Sequence, residues 1–163
     1  MSLAICPGSF DPITLGHLDI IRRAAQIFDK VVVCIMFNST KTKPMFTVEE
    51  RVEMVKKVVG DIPNVEVDTS DGLLAEYAKQ FEDAVLVKGM RATSDFEYEF
   101  QMNLINKKIN PALETMFLAA SEKYTFLSSS VVREMASYGA DLTGFVPCDI
   151  KEEIAEKAKL WRH

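Results

Sequence analysis

Short apolar runs alternate along the chain with longer stretches of helical periodicity, and this alternation strongly limits how the chain can fold. The apolar runs that predict strands are residues 3–6, 31–36, 65–67, 84–89 and 115–120. Most are apolar at successive positions, which is typical of parallel strands that are covered on both faces. The pattern therefore predicts a parallel sheet rather than a β-sandwich or a helical bundle.

The stretches between these runs predict six helices. They cover residues 17–28, 47–59, 73–81, 95–109, 131–137 and 150–161. The first places Leu18, Ile21, Ala25 and Phe28 on one stripe. The second opens with a Thr47–Glu50 capping box. Strands that alternate with helices predict an α/β fold in which a five-stranded parallel sheet is flanked by helices on both faces.

The composition limits the number of domains that the chain can form and the kinds of partner that it can bind. Its 163 residues are 48% hydrophobic and contain no repeat, low-complexity tract or linker, so we expect a single domain, 1–163. A net charge of −5 argues against nucleic acid and anionic membranes as partners. The sequence shows neither a secretory leader nor a run of about 20 apolar residues, so a cytoplasmic protein is expected. We expect Cys6, Cys34 and Cys148 to be reduced, buried thiols.

The segment PGSFDPITLGH, residues 7–17, follows the first predicted strand directly and leads into the first helix. Ligands of open parallel sheets bind at such junctions, where free helix amides point toward the ligand. Gly8 permits close approach, Ser9 offers a hydroxyl, and Thr14 is a plausible N-cap that puts His17 in the first helical turn. A tight turn with an ordinary capping histidine is the alternative, but the surrounding glycines favour a phosphate site.

A second polar segment lies late in the chain, where Ser128, Ser129 and Ser130 precede a predicted helix and Arg133 follows one turn later. Hydroxyls, free amides and a guanidinium can converge there on a polyphosphate, although a serine run is more often an ordinary cap. Neither the dinucleotide fingerprint nor the P-loop pattern occurs in the chain. Two such segments at strand-to-helix junctions together favour a phosphate-binding site of another type.

Thr14-Leu15-Gly16-His17 resembles the T/H-x-G-H signature of the nucleotidyltransferase superfamily, and LSSSVVR, residues 127–133, resembles its ISSS/T-x-x-R signature. With KPMFTVEERV (43–52) and VKGMRATSDFEYE (87–99), essentially the whole chain resembles the bacterial phosphopantetheine adenylyltransferases. The resemblance implies a Rossmann-like nucleotidyltransferase domain that transfers AMP from ATP to 4′-phosphopantetheine. The products would be 3′-dephospho-CoA and pyrophosphate, and Mg²⁺ would accompany ATP.

The resemblance also implies the roles of individual residues. Catalysis is assigned to His17, Ser9 and Lys41, and no residue is assigned to a metal. ATP binding is assigned to Ser9, Phe10, His17, Gly89, Met90, Arg91, Glu99, Tyr124, Thr125, Phe126, Leu127, Ser128, Ser129 and Ser130. Acceptor binding is assigned to Ser9, Lys41, Leu74 and Lys88. Lys43 is an alternative to Lys41, because Thr42 separates two lysines that are adjacent in the family. Lys88 and Cys6 also depart from the family, which commonly has Arg and Tyr there.

Residues 95–109 carry two apolar lines, one through Phe96, Phe100 and Leu104 and the other through Tyr98, Met102, Ile105 and Ile109. Such a helix is either buried in its own domain or shared with a neighbour. The resemblance implies the second alternative, in a homohexamer, and makes CoA a candidate feedback ligand. Two other functions stay open: nucleotidyl transfer to another acceptor such as nicotinate mononucleotide, and nucleotide sensing without turnover. The 88–99 block argues against the first, and the two intact signatures argue against the second.

Overall fold

The computed structural model describes residues 1–37 and 43–161, and in them five strands form one parallel sheet. The strands are β1 (Leu3–Gly8), β2 (Lys30–Met36), β3 (Val65–Ser70), β4 (Ala84–Met90) and β5 (Glu114–Ala119), in the spatial order β3-β2-β1-β4-β5. The predicted α/β class, the strand number and the parallel arrangement are confirmed. β3 and β5 alternate between more and less exposed residues, because edge strands are covered less completely than central ones.

β1 continues two residues beyond the prediction, through Pro7 and Gly8. These residues pair only with β2, whereas β1 and β4 pair only from Leu3 to Ile5. A proline is tolerated at this point because β1 there has a neighbour on one side only. The two central strands therefore separate at their carboxyl ends, which is the switch point where open parallel sheets form ligand clefts.

The helices lie where the periodicity predicts them. They are α1 (Leu15–Ile27), α2 (Val48–Val59), α3 (Leu74–Ala78), α4 (Thr93–Ile109), α5 (Ser129–Ser137) and α6 (Cys148–Leu160), with a 3₁₀ turn at Glu122–Tyr124. The capping box at Thr47 and Glu50 is confirmed, and so is the N-cap at Thr14. α3 is shorter than predicted, because the chain forms turns at residues 79–81. None of the described helices is long and apolar enough to cross a membrane.

Two apolar layers cover the sheet. Ala4 and Cys6 of β1 face a core that contains residues of α1, α2, α5 and α6. Leu3 and Ile5 face the opposite core, which contains residues of α3 and the end of α4. The alternation of side chains along one strand thus distributes the helices over both faces, as predicted.

α4 exposes much of its apolar surface in the single chain. The exposed fractions are 47% for Phe96, 61% for Tyr98, 48% for Phe100, 56% for Leu104 and 43% for Ile105. The alternative in which both apolar lines are buried within the domain is therefore wrong. A face of this kind is typical of a surface that contacts another protein.

The cysteines differ from the expectation at one position. Cys6 and Cys34 are buried free thiols, and burial raises their pKa values to about 12 and about 11. Cys148 is also free but exposed, because it is the first residue of α6 and lies outside the apolar stripe of that helix. The prediction that all three thiols are buried is wrong for Cys148.

Candidate active site

An open cleft of about 2330 Å³ lies at the carboxyl ends of the strands, where β1 separates from β4. It brings together most of the residues that the sequence assigns to a site. Those on its walls are Ser9, Phe10, His17, Leu74, Lys88, Gly89, Arg91, Glu99, Tyr124, Leu127, Ser128, Ser129 and Ser130. The loops after all five strands contribute to one continuous surface.

Four assigned residues are not among these. Met90, Thr125 and Phe126 do not line the cleft, although their neighbours in the chain do. The Phe126 ring packs edge-on against Phe145 instead, with ring centroids 5.9 Å apart. Lys41 lies outside the described residues, and Lys43, the alternative, lines the cleft.

His17 is held at the start of α1 by the residue that caps the helix. The Thr14 N–H donates to His17 Nδ1 at 3.0 Å, and the His17 N–H donates to Thr14 Oγ1 at 3.3 Å. Desolvation, with a smaller contribution from the Arg91 charge, lowers the pKa of His17 to about 4. The imidazole is therefore neutral near pH 7. Because Nδ1 accepts a hydrogen bond, the ring proton is on Nε2, which makes His17 a neutral N–H donor.

The loop after β1 holds its backbone in an uncommon conformation. Phe10 has a φ of 49°, in the left-handed region that bulky residues rarely adopt. The whole residue is 3% exposed, so little of Phe10 is open to contact with a bound nucleotide. The preceding carbonyl, of Ser9, accepts from Arg51 Nη1 at 2.9 Å. Ser9 itself is exposed on the cleft side.

Asp11 connects this loop to the segment that leads into α2. The residue is 7% exposed, and its carboxylate accepts from the backbone N–H groups of Met45 at 3.0 Å and Phe46 at 2.9 Å. Arg133 lies beside the same carboxylate, with Nη1 at 3.7 Å from Oδ2. A buried carboxylate with two amide donors and a guanidinium neighbour is well satisfied, so Asp11 is a structural anchor at the floor of the cleft.

The two signature segments contact each other directly. Ser129 Oγ donates to the carbonyl of Pro12 at 2.7 Å, and Arg133 Nη1 donates to the carbonyl of Asp11 at 2.6 Å. Ser128 caps α5 by accepting from the Val131 N–H at 3.2 Å. The start of α5 thus opens onto the same cleft as the start of α1, so backbone N–H groups at the start of α5 can bind anionic oxygens there.

The cations at the end of β4 and just after it are paired with carboxylates. Lys88 Nζ lies 2.7 Å from Glu99 Oε2, and their side chains are only 17% and 21% exposed. Arg91 contacts the Asp95 carboxylate through Nε at 3.1 Å and donates from Nη1 to the Leu127 carbonyl at 2.8 Å. Neither cation is therefore a free surface charge. A phosphate that binds Lys88 must share it with Glu99.

Sequence reasoning did not single out Asp11 or Arg51, whose contacts shape the site. Arg51 had a detectable signal, because a guanidinium at this position falls on the apolar stripe of α2 beside Val48 and Val55. It is 4% exposed, which is unusual for an arginine. Asp11 had no comparable local signal, since its partners lie more than 30 residues away in the chain.

The cleft offers few free carboxylates to a magnesium ion. Mg²⁺ is usually held by one or two carboxylates together with substrate phosphates and water. In residues 1–37 and 43–161, no group of three His, Cys, Asp or Glu side chains is placed to hold a metal ion. The carboxylates of Asp11, Asp95 and Glu99 already have amide or cationic partners. The described residues therefore do not form a protein cage for the ion.

Both signature segments fall within the region that a known family shares with this chain, since the cytidylyltransferase-like family matches residues 5–135. The chain belongs to the cytidylyltransferase-like family. It is 55% identical over 159 residues to the phosphopantetheine adenylyltransferase of Caldanaerobacter subterraneus subsp. tengcongensis, covering 98% of this chain and 99% of the relative. It is 52% identical over 158 residues to the phosphopantetheine adenylyltransferase of Clostridium tetani, covering 97% and 98%.

The fold of this cytidylyltransferase-like protein recurs in solved structures. One from Vibrio parahaemolyticus, provisionally assigned as a nicotinate-nucleotide adenylyltransferase, superposes with a TM-score of 0.70 and covers 96% of this chain and 93% of the other. At 19% identity this likeness shows the fold alone. The two relatives near half identity confirm the predicted membership of a nucleotidyltransferase enzyme family.

Proposed function

We propose that this protein transfers the AMP moiety of ATP to 4′-phosphopantetheine, with release of pyrophosphate and formation of 3′-dephospho-CoA. The observation that carries the proposal is the half-identity, over nearly full length, to relatives named phosphopantetheine adenylyltransferases. The cleft supports it, because both signature segments and the block after β4 line one surface large enough for two phosphate-bearing ligands. The reaction would belong to coenzyme A biosynthesis, at its penultimate step.

The chemistry asks for positioning and charge stabilisation rather than for a protein nucleophile. An oxygen of the acceptor phosphate attacks the α-phosphorus of ATP in line, the new P–O bond forms, and the bond to pyrophosphate breaks. The attacking phosphate is ionised near neutral pH, so no strong general base is needed. The enzyme must instead stabilise the charge that develops on the α-phosphate oxygens.

His17 suits this task because it is a fixed, neutral donor. With Nδ1 accepting from Thr14, its Nε2–H can donate to an α-phosphate oxygen without a change of tautomer or protonation state. Ser9 on the exposed side of the β1 loop, and the amides that open α5, offer further donors to the triphosphate. Such preorganised donors are worth most where they face charge that grows in the transition state.

In this proposal Lys88 would bind the acceptor phosphate. Its pairing with Glu99 orients the ammonium inside the cleft and partly neutralises it before substrate binds. Leu74 at the start of α3 provides an apolar wall on the same side. Lys41, or Lys43 in its place, would add a second cation to the phosphates. Mg²⁺ would enter bound to ATP and shield its phosphate charge, and no residue of this chain is assigned to bind it.

The same proposal extends to the oligomeric state of the protein, its location in the cell and its regulation. The exposed apolar face of α4 would be covered in a homohexamer, the protein would act in the cytoplasm, and CoA would compete for the cleft as a feedback ligand. An equilibrium sedimentation mass near 18.3 kDa at micromolar concentration would contradict the hexamer.

The deciding experiment is pyrophosphate release from ATP and Mg²⁺ with either 4′-phosphopantetheine or nicotinate mononucleotide as acceptor. Release with phosphopantetheine alone is the expected result. Release with the mononucleotide alone would leave the proposed role of His17 unchanged, but it would show that phosphopantetheine is not the acceptor. Tight ATP binding with no release for either acceptor would favour the nucleotide-sensing alternative.

A further inference from the structure

Phe10 lies beneath the cleft in a conformation that its surroundings must hold in place. Left-handed backbone is costly for a bulky side chain and persists only where neighbouring contacts determine it. Those contacts are present on both sides: the Ser9 carbonyl before it accepts from Arg51, and the Asp11 carboxylate after it accepts from two backbone amides. The direction of the Phe10 side chain is therefore set by the anchored loop.

The ring that this backbone directs inward contacts the histidine of the site. The Phe10 and His17 ring centroids are 5.1 Å apart with an interplanar angle of 67°, an edge-to-face arrangement. The phenyl ring also packs closely on Gly8. A Cβ added at Gly8 would lie 3.1 Å from Phe10 Cε2 and 3.2 Å from Cζ. The phenyl ring thus has little room to move toward Gly8.

The histidine needs such a support. Its hydrogen bond from the Thr14 N–H fixes the position of Nδ1 but leaves the imidazole free to tilt about that contact. The phenyl ring packed against the imidazole limits this tilt. Arg91 is the charged neighbour that acts on the imidazole, and Arg91 is itself held by Asp95. No other residue in the described part of the chain makes a ring contact with His17.

We propose that the Phe10 side chain is a positioning residue that, held against Gly8, fixes the orientation of the His17 imidazole so that its Nε2–H points at the reacting phosphate. This goes beyond the nucleotide contact that the sequence assigns to Phe10, because it gives the role to the buried ring. The expected effect on turnover rests on the proposed function, but the expected effect on the orientation of the His17 imidazole does not. If Phe10 only fills the core, its loss lowers stability and leaves the state of His17 unchanged.

The test uses histidine NMR on the full chain, which contains only two histidines. In a His163→Ala background, His17 supplies the only imidazole signals, and ¹H–¹⁵N correlations report its tautomer and its titration between about pH 4 and pH 8. Phe10→Leu removes the aromatic ring. Gly8→Ala keeps the ring but displaces it by a few tenths of an ångström. Phe28→Leu, at the far end of α1, is the matched control for the loss of a buried phenyl group.

The proposal predicts that Phe10→Leu raises the pKa of His17 by about one unit or more and populates both tautomers. Gly8→Ala is expected to shift both properties in the same direction by less, and Phe28→Leu to leave them unchanged. Turnover of Phe10→Leu should fall about tenfold, with KM for ATP within about threefold of the parent.

A folded Phe10→Leu protein with an unchanged His17 tautomer and pKa would overturn the proposal, as would equal changes in Phe28→Leu. If Phe10→Leu does not fold, Gly8→Ala decides by the same NMR criteria. Absence of pyrophosphate release by the parent protein would refute the proposed function, and the NMR result would still decide the role of Phe10.

Discussion

Removal of the Asp11 carboxylate is expected to destabilise the protein strongly, because its partners are buried and have no substitute. The Met45 and Phe46 residues that donate to it are 2% and 3% exposed. In Asp11→Ala each amide loses its acceptor, and an unsatisfied buried donor costs about 1–3 kcal/mol. The two together predict a loss of about 2–6 kcal/mol. Such a loss is a large share of the about 5–15 kcal/mol that stabilises an ordinary domain.

Asp11→Asn separates the two contributions of the side chain. Asparagine keeps one acceptor oxygen in the same place, but its amide nitrogen then faces the second backbone N–H. One donor of the pair remains satisfied, so about half of the loss is expected. The order of stability should be wild type, then Asp11→Asn, then Asp11→Ala.

The assay is urea unfolding followed by circular dichroism, with the fluorescence of the single tryptophan as a second probe of the transition. With a urea slope of about 2 kcal/mol per molar, a loss of 3 kcal/mol lowers the midpoint by about 1.5 M. Asp61→Ala is the matched control. The Asp61 side chain is 65% exposed and its ion pair with Arg22 is a surface pair, so less than about 1 kcal/mol is expected.

Two results would refute this reasoning. An Asp11→Ala protein within about 0.5 kcal/mol of wild type would show that the buried amides find other partners. An Asp11→Asn protein as unstable as Asp11→Ala would show that the charge beside Arg133, rather than the two amide hydrogen bonds, carries the effect.

Other expectations follow from the same structure. His17→Ala should lower kcat by about 10² or more with an unchanged unfolding midpoint, because one preorganised donor is lost; near-wild-type turnover would remove His17 from the mechanism. Because the folded-state pKa of His17, about 4, lies below the ordinary value of 6.5, the unfolded chain takes up the proton first. The contribution of His17 to stability is therefore full above about pH 6.5 and lost as the pH falls toward 4, so the urea midpoints at the two ends of this range should differ less in His17→Asn than in wild type. Lys88→Met should raise KM for phosphopantetheine about tenfold or more while KM for ATP stays within about threefold; equal changes in both would remove Lys88 from the acceptor side. A thiol reagent should modify Cys148 in the native protein, and Cys6 and Cys34 only after denaturation; rapid native labelling of all three would contradict their burial.

The fold follows from local patterns that the sequence contains in full. Successive apolar residues predicted the parallel strands, helical stripes predicted the six helices, and Thr14 and Thr47 marked two helix starts correctly. These features depend on periodicity and on hydrogen bonds between residues three or four positions apart, so no distant partner is needed to predict them. The position of the site at the strand-to-helix junctions was predictable for the same reason, because parallel strands end at one edge.

The sequence by itself thus determined the α/β architecture and the family, and most of the residues that it assigned to a site line the cleft. Only the tertiary structure decided how those residues are held: the Asp11 carboxylate against two distant amides, Arg51 on the Ser9 carbonyl, Lys88 paired with Glu99, and the α4 face left exposed. Most of these contacts join residues far apart in the chain, and all of these features depend on the register and packing of the strands and helices that carry them. A local pattern specifies which side of an element is apolar, but not which distant donor meets which acceptor.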